Sequence, residues 1–170
     1  MARRQNGDSI RGPRAGERGQ ALVEFALVSI VFFLLVFGIF DFARLFQSWV
    51  TVQHAAREGA RYAVTGQVVC DGYTDDRDAC IVQRAKIATT GLNGGGESGV
   101  GVTVSYQSWQ YPNYTDPAAS GDSGDQCDAI EVDVEYTHSF VLPVLRILAP
   151  SGLELHGRQR MVNEPFGPCQ

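Results

Sequence analysis

The stretch that decides the fold is RGQALVEF, residues 18–25, which opens an apolar run that lasts to Phe40. From Phe25 to Phe40 the run reads FALVSIVFFLLVFGIF and contains no charged residue. Together with residues 21–23 it approaches the roughly 20 apolar residues that a helix needs to cross a bilayer. The sequence therefore predicts a membrane span over residues 21–40, with Glu24 near its start.

The residues before this run are basic. Residues 1–19 contain five arginines and two acidic residues, and we interpret them as a polar cytoplasmic leader without a folded core. Because positively charged flanks remain in the cytoplasm, the chain after Asp41 should lie on the outer side of the membrane. A cleaved secretory signal peptide is the alternative, but the residues GIFDFAR that end the run do not supply the small-residue cut site that it needs.

The rest of the chain is acidic, with nine basic and seventeen acidic residues after Gly19. Proteins that bind nucleic acids need clustered lysines and arginines, and Lys86 is the single lysine of this chain. We therefore expect no nucleic-acid partner.

Helical periodicity continues beyond the span. Apolar residues recur at helical spacing at Phe42, Leu45, Phe46, Trp49, Val52, Ala56, Ala60 and Ala63. The pattern predicts one long helix over residues 20–64, whose outer half projects beyond the bilayer because each residue adds about 1.5 Å. Ala55, Gly59 and Ala63 repeat every fourth residue. Such small residues let another element approach closely, so we expect the head to pack there.

Two charge pairs follow the same helix at three-residue spacing. Asp41 with Arg44, and Glu58 with Arg61, can meet on an exposed helix face. We interpret both as surface ion pairs.

Residues 65–170 are predicted to form the head. A second helix is expected over Ala79–Thr90, since aspartates precede it and Gly91 follows it. Alternation of apolar and polar residues then predicts three antiparallel strands, at residues 100–106, 130–136 and 153–162, with a long loop at 109–129 between the first two. If the last two strands pair, the arginines of the last strand face the acidic row of the one before it.

An apolar segment, residues 140–148, lies between the last two strands. Pro143 can open a short helix there, and we expect the apolar residues to pack onto the long helix. The predicted fold class is therefore α+β. A long N-terminal transmembrane helix continues into a small extracytoplasmic head with a short helix and a three-stranded antiparallel sheet.

All the cysteines lie in the outer part of the chain, at Cys70, Cys80, Cys127 and Cys169. An even number of cysteines in an exported domain indicates two disulfides, for which three pairings are possible. The short gap between Cys70 and Cys80 favours a local bridge there, which leaves Cys127 with Cys169. The sequence has no CxxC motif and its histidines are scattered, so we expect no metal site.

Glu24 is the strongest candidate for a functional residue. A carboxylate inside the hydrocarbon layer is costly unless it is paired, so it marks a functional site by default. The alternative is a solvated carboxylate at the cytoplasmic interface. No nucleophile–base or metal constellation accompanies it, and we therefore expect neither an enzyme nor a cofactor.

Three blocks of the sequence resemble the TadE-like family, pilin-like minor components of the bacterial tight-adherence (Tad/Flp) pilus systems. They are RGQALVEFAL at residues 18–27, GIFDFAR at 38–44 and AAREGARYA at 55–63. The resemblance covers roughly residues 18–64 and implies a pilin-like fold. Gly19 followed by QALVEF also resembles the type IV prepilin signal, in which a glycine precedes the cut and a glutamate is the fifth residue of the mature chain.

The resemblance implies roles for individual residues. A prepilin peptidase would cut between Gly19 and Gln20, and Glu24 would pair with the N-terminal amine of a neighbouring subunit as helices stack in a filament. A buried pair of this kind can set the register between subunits. The residues expected to share this subunit interface are Ala21, Phe25, Ala26 and Ser29, of which the small ones permit close helix contact.

The function implied is that of a minor pilin (pseudopilin), needed for assembly of a surface pilus or incorporated in it. The expected partners are the prepilin peptidase, other pilin or pseudopilin subunits, inner-membrane assembly proteins and membrane lipid. One alternative is a membrane-resident assembly factor that stays out of the filament. Another, of a different class, is a membrane-tethered extracytoplasmic binding module or enzyme.

Overall fold

The computed structural model describes residues 15–96, 100–165 and 168–169, and the chain falls into two compact units that meet at Phe40 and Asp41. Helix α1 spans Ala15–Val64. It begins at Ala15 rather than at Gln20, because a glycine inside a helix costs only about 1 kcal/mol and good helix formers flank Gly19. The part of the predicted leader before residue 15 lies outside the described residues.

The first unit holds the apolar part of α1. An 18-residue stretch of this helix has a mean hydropathy of 2.7 and none of it is buried. Among the residues that the structure describes, α1 is the one helix long and apolar enough to cross a membrane. The chain is thus that of a single-pass membrane protein.

The second unit contains α1 from Asp41 onward, two further helices and a sheet. The helices are α2, Arg77–Ala88, and α3, Pro143–Leu148, and the strands are β1, Val102–Trp109, β2, Pro117–Ser120, β3, Ala129–His138, and β4, Leu153–Val162. The strands form one antiparallel sheet in the order β2-β1-β3-β4. The predicted α+β class is confirmed.

The sheet has four strands, not the three predicted, because β2 lies in the segment expected to be a loop. Its sequence, PAAS, carries no alternation of apolar and polar residues. A proline is tolerated in an edge strand, where its missing N–H is not needed. Gln107 pairs with Ser120, and the Gln107 side-chain Nε2 donates to the Ala118 carbonyl at 2.8 Å. Tertiary pairing therefore forms a strand that local propensity does not predict.

The core lies between α1, α2 and the sheet. One face of α1, including Ala55, Ala56, Ala60 and Ala63, is fully buried and belongs to one cluster with Ile81 and Ala85 of α2 and Ile130, Val132 and Val134 of β3. Gly59 lies on the same face. A Cβ added to Gly59 would lie 3.1 Å from the Ala85 Cβ and 3.2 Å from the Val132 Cγ1. The row Ala55, Gly59 and Ala63 is thus the surface on which α2 and β3 approach α1.

The opposite face of the sheet carries charges, as the predicted pairing of the last two strands requires. Arg158 Nε donates to the Asp133 Oδ2 at 2.6 Å, and Arg160 Nη2 lies 2.8 Å from the Glu131 Oε2. Arg160 also lies over the Trp109 ring. Exposed pairs of this kind are worth about 0.2–1 kcal/mol each, so they favour the register without dominating stability.

The C-terminal end of α1 is held by Arg77. Its Nε and Nη2 donate to the Ala63 carbonyl at 3.1 and 2.7 Å, and its Nη1 donates to the Gly124 carbonyl at 2.8 Å. Burial lowers the pKa of the Arg77 guanidinium, although an arginine still remains charged. Because carbonyls in the last turn of a helix lack partners within the helix, this side chain satisfies one of them and ties α1 to the loop before β3.

Two disulfides close the remaining loops. Cys70 is bonded to Cys80, and Cys127 is bonded to Cys169. The first bridge joins the loop after α1 to α2, and the second joins the turn before β3 to the C-terminal residues. Such cross-links restrict the conformations of the unfolded chain and thereby stabilise the folded domain.

The apolar segment that holds α3 does not pack onto the long helix as expected. Val141, Val144, Ile147 and Leu148 are exposed by 56%, 52%, 80% and 77%. Only Leu142 and Leu145 turn partly inward. The expectation was wrong: the contact of this segment with α1 is made by the backbone N–H groups of Val141 and Leu142 on Asp41, and most of its apolar side chains face outward.

Candidate functional site

The residues implicated in processing and assembly lie in the first turns of α1. Gly19 and Gln20 are exposed, and a Cβ added to Gly19 would meet nothing within 4 Å. Ala21 and Phe25 are exposed and Ser29 is half-buried; they are four residues apart, so they share one helix face. Ser29 Oγ donates to the Ala26 carbonyl at 2.9 Å, which satisfies this hydroxyl inside an apolar helix.

Glu24 borders this face. Its side chain is exposed in the single chain. Among the side chains that the structure describes, Glu24 has no ion-pair partner. A carboxylate near the end of an apolar helix is stabilised only by water, lipid headgroups or a cation from another molecule. The helix therefore presents a negative charge next to a face of small and aromatic residues.

Asp41 is a residue whose environment the sequence analysis predicted wrongly. It is only 1% exposed, so it does not form the surface pair with Arg44 that the spacing suggested. Its carboxylate accepts hydrogen bonds from the backbone N–H groups of Val141, at 3.1 Å, and Leu142, at 2.8 Å. The other expected pair is confirmed, since Arg61 Nη2 lies 2.7 Å from the Glu58 Oε1 and this contact lowers the pKa of Glu58.

A signal for Asp41 was present in the sequence. It is the first charged residue after the apolar run and it lies inside the block GIFDFAR. Its partner, however, is a pair of backbone N–H groups about one hundred residues away, and backbone groups leave no trace in composition or spacing. The role of Asp41 follows only from the folded structure.

A buried histidine lies close to Asp41. His138 is 2% exposed, and its Nδ1 lies 3.2 Å from the Ser48 Oγ. Ser48 Oγ also lies within hydrogen-bond distance of the Arg44 carbonyl, at 3.0 Å. The His138 Nε2 is buried without a hydrogen-bond partner among the described residues. Burial above all, and also the positive charge of Arg44, lower the pKa of His138, which Asp41 partly offsets.

We expect acid to destabilise the head through His138. Because its pKa in the folded chain lies below the ordinary value of about 6.5, the unfolded state binds the proton more readily. The full stability is present above pH 6.5 and falls as the pH drops below it. Thermal unfolding between pH 7.5 and 5 measures this fall. His138→Asn keeps an amide near Nδ1 and cannot titrate, so its unfolding temperature should fall less; an identical fall in both proteins would contradict the assignment.

A second cluster of ionisable groups lies on the charged face of the sheet. His156 Nδ1 is 3.7 Å from the Asp133 Oδ1 and 3.5 Å from the Glu135 Oε1. Asp133, Glu135 and His156 form a cluster, among the described residues, in which three side chains able to bind a metal lie within 4.8 Å of one another. Arg158 already binds the second oxygen of Asp133, so the cluster forms part of the cross-strand charge pairing.

A cavity of about 540 Å³ lies between the loop after α1, α2 and β1. Its lining includes Asp71, Asp78, Lys86 and Tyr106 and contains no serine, cysteine or histidine. Burial, aided by nearby aspartates, raises the pKa of Tyr106. This polar cavity thus offers hydrogen-bond donors and acceptors without an activated nucleophile.

Comparison with known proteins identifies the N-terminal helix. Residues 19–61 match the family model of TadE-like proteins, which confirms the resemblance predicted from the sequence. No curated protein and no solved structure matches the chain. The match lies within α1, and the family it identifies is pilus-associated and of a structural, non-enzymatic kind. The sheet, α2 and α3 lie beyond the match.

Proposed function

We propose that this chain, whose residues 19–61 match the TadE-like family, is a minor pilin (pseudopilin) of a Tad pilus. Its N-terminus lies in the cytoplasm, α1 crosses the membrane, and the disulfide-braced head lies outside. The observation that carries the proposal is Glu24, which lies five positions after Gly19 at the start of an apolar helix whose hydrophobic stretch is wholly unburied. Such a helix needs lipid or neighbouring helices around it.

Processing gives this charge a partner. Removal of residues 1–19 by a prepilin peptidase would leave a free amine on Gln20, which is positively charged at neutral pH over much of its population. When helices leave the lipid and pack together, the Glu24 carboxylate of one subunit can form an ion pair with this amine of the next subunit. A buried pair contributes little net stability but penalises every register that leaves either charge alone. The pair would therefore specify how subunits stack.

The head would act as the part that other proteins recognise. The head packs on α1 through the row Ala55, Gly59 and Ala63, which contacts α2 and β3. From Asp41 onward, the helix and the head thus form one compact unit. The partners we propose are the prepilin peptidase, other pilin subunits and inner-membrane assembly proteins. None of these roles requires catalysis by this chain.

We expect the mature protein to begin at Gln20. The chain is expressed in bacteria with and without a prepilin peptidase, extracted in detergent, and its N-terminus is determined by mass spectrometry. Residues 1–19 should be lost only when the peptidase is present. An intact Met1 or Ala2 terminus in the presence of an active peptidase would contradict the proposal.

Two glycines of α1 provide a matched control. A Cβ added at Gly19 or at Gly38 meets nothing within 4 Å, so Gly19→Val and Gly38→Val should be equally well tolerated by the fold. Only Gly19→Val should block cleavage. Immunoblotting of sheared pili then separates the two pilus roles: presence of the mature chain supports a filament subunit, and its retention in the membrane supports an assembly factor.

A further inference from the structure

The exposed apolar residues of α3 and of the two residues before it lie in one continuous stretch of chain. Val141, Val144, Ile147 and Leu148 expose 56%, 52%, 80% and 77% of their side chains, and we call residues 141–148 the interfacial segment. Four large apolar residues exposed within eight positions exceed the scattered exposure that is normal for a soluble surface. Such a segment indicates contact with something apolar.

A further apolar surface lies on α1. Phe42, Phe46 and Trp49 are exposed. Together with Leu45, Leu153 and Leu155 they line an apolar groove of about 220 Å³, and no polar surface faces it. Leu153 begins β4 directly after the turn that follows α3. Aromatic residues are enriched where proteins meet the interface of a bilayer.

Asp41 fixes the depth of the interfacial segment. It is the residue covalently next to Phe40, the last residue of the apolar run. Its carboxylate binds the N–H groups of Val141 and Leu142 at 3.1 and 2.8 Å. Since about 20 helical residues span the roughly 30 Å of hydrocarbon, the run ends at the outer boundary of that layer. The start of the interfacial segment therefore lies at the level of the lipid headgroups.

We propose that the interfacial segment lies in the outer surface of the lipid bilayer and docks the head on it. Val144, Ile147 and Leu148 enter the boundary between headgroups and acyl chains, and the exposed Arg146 lies among the headgroups. Helices of this kind bury their apolar face about 5–10 Å into that boundary, and anionic lipids attract their basic residues. The proposal rests on the membrane span alone and holds whether or not the chain enters a pilus.

Lipid is favoured over a protein partner because the chain itself connects this surface to the membrane span. Any molecule that covers the start of this segment must do so close to Asp41, which contacts Val141 and Leu142 and follows the last residue of the apolar run. The interfacial segment carries one charged residue, Arg146, and no acidic one. A second copy of the chain is the competing occupant, and the experiment distinguishes it from lipid.

The test uses the full-length oxidised protein in liposomes of phosphatidylcholine and phosphatidylglycerol. Ile147→Cys is labelled with a polarity-sensitive fluorophore after the native disulfides have formed, and quenching by lipids that carry a nitroxide near the headgroup is measured. The matched control is Val69→Cys, also an exposed apolar position, which follows the far end of α1, about 35 Å along the helix from Asp41. We expect about fivefold stronger quenching at position 147 than at position 69.

Equal quenching at the two positions would overturn the proposal. Dilution of the protein in lipid tests the second copy: a blue-shifted label at position 147 that becomes exposed on dilution assigns the surface to a self-interface and overturns lipid docking. Emission that stays blue-shifted at every dilution, with weak headgroup quenching, points to burial within the chain itself and overturns it as well. Strong quenching that is independent of protein density supports it.

Discussion

Replacing Glu24 with alanine is expected to abolish piliation while the protein remains in the membrane at its normal level. Alanine makes the span more apolar and preserves the helix, so insertion is unaffected. Glu24 belongs to the first unit of the chain, while the core cluster and both disulfides belong to the second. A loss of pili therefore reports on contacts between subunits and not on folding of the head.

The size of the effect follows from the buried amine that would lose its partner. Removing one member of a buried ion pair costs about 3–5 kcal/mol, because the other charge is left unpaired. At about 1.4 kcal/mol for each factor of ten, 3 kcal/mol weakens the addition of a subunit by about 100-fold. Glu24→Gln keeps a hydrogen-bond acceptor without the charge, so it should recover some pili if the contact depends partly on hydrogen bonding.

A second carboxylate on α1 serves as the control. Glu58 pairs with Arg61 at 2.7 Å on an exposed helix face, and exposed pairs contribute at most about 1 kcal/mol. Glu58→Ala should therefore leave piliation close to that of the wild type. Pili are counted by electron microscopy in a deletion strain that carries each variant, with membrane immunoblots to equalise expression. Normal pili with Glu24→Ala would show that Glu24 is a solvated carboxylate at the cytoplasmic interface.

Most of the fold could be predicted because its signals are local. The helical period of apolar residues in α1 and the alternation of apolar and polar residues in β3 and β4 can be seen in neighbouring residues, and the structure forms a helix and strands there. The opposition of Glu131 and Asp133 to Arg160 and Arg158 follows once the two strands pair antiparallel. In each of these elements, burial and local propensity favour the same structure.

The parts that could not be predicted depend on distant backbone groups. Edge strand β2 forms because β1 offers it hydrogen bonds. Asp41 is buried because two N–H groups from residues 141 and 142 meet its carboxylate. A hydrophobic side chain in the sequence indicates that it needs an apolar environment but does not tell whether protein or lipid provides it.

Gly157→Ala is expected to destabilise the head strongly. Gly157 lies in β4, is buried and pairs with Val134. A Cβ at this position would lie 2.5 Å from the Val52 carbonyl oxygen and 2.7 Å from the Val52 carbonyl carbon. The strand thus packs directly on the backbone of α1, and Gln53 Nε2 reinforces this contact by donating to the His156 carbonyl at 2.9 Å.

Because the clash is with backbone atoms, no change of rotamer can relieve it. The sheet would have to move away from α1, which opens the core around Val52 and Leu155. Elsewhere in a strand, glycine to alanine stabilises by about 0.4–1 kcal/mol through the unfolded chain. Here overpacking outweighs that gain, and we expect a loss of about 3 kcal/mol in the free energy of unfolding, or about 10 °C in unfolding temperature.

The matched control is Gln159→Ala, two residues along the same strand and on the same face. Gln159 is only half-buried, so its truncation should change the free energy of unfolding by less than about 1 kcal/mol. Thermal unfolding of the detergent-extracted, oxidised proteins compares the two variants with the wild type. If Gly157→Ala unfolds within about 2 °C of the wild type, less than the shift that 1 kcal/mol gives in a domain of this size, the close packing of β4 on α1 is wrong. The large drop we expect would show that the head is built against the extension of the same helix that carries Glu24, so that helix and head move as one body from Asp41 onward.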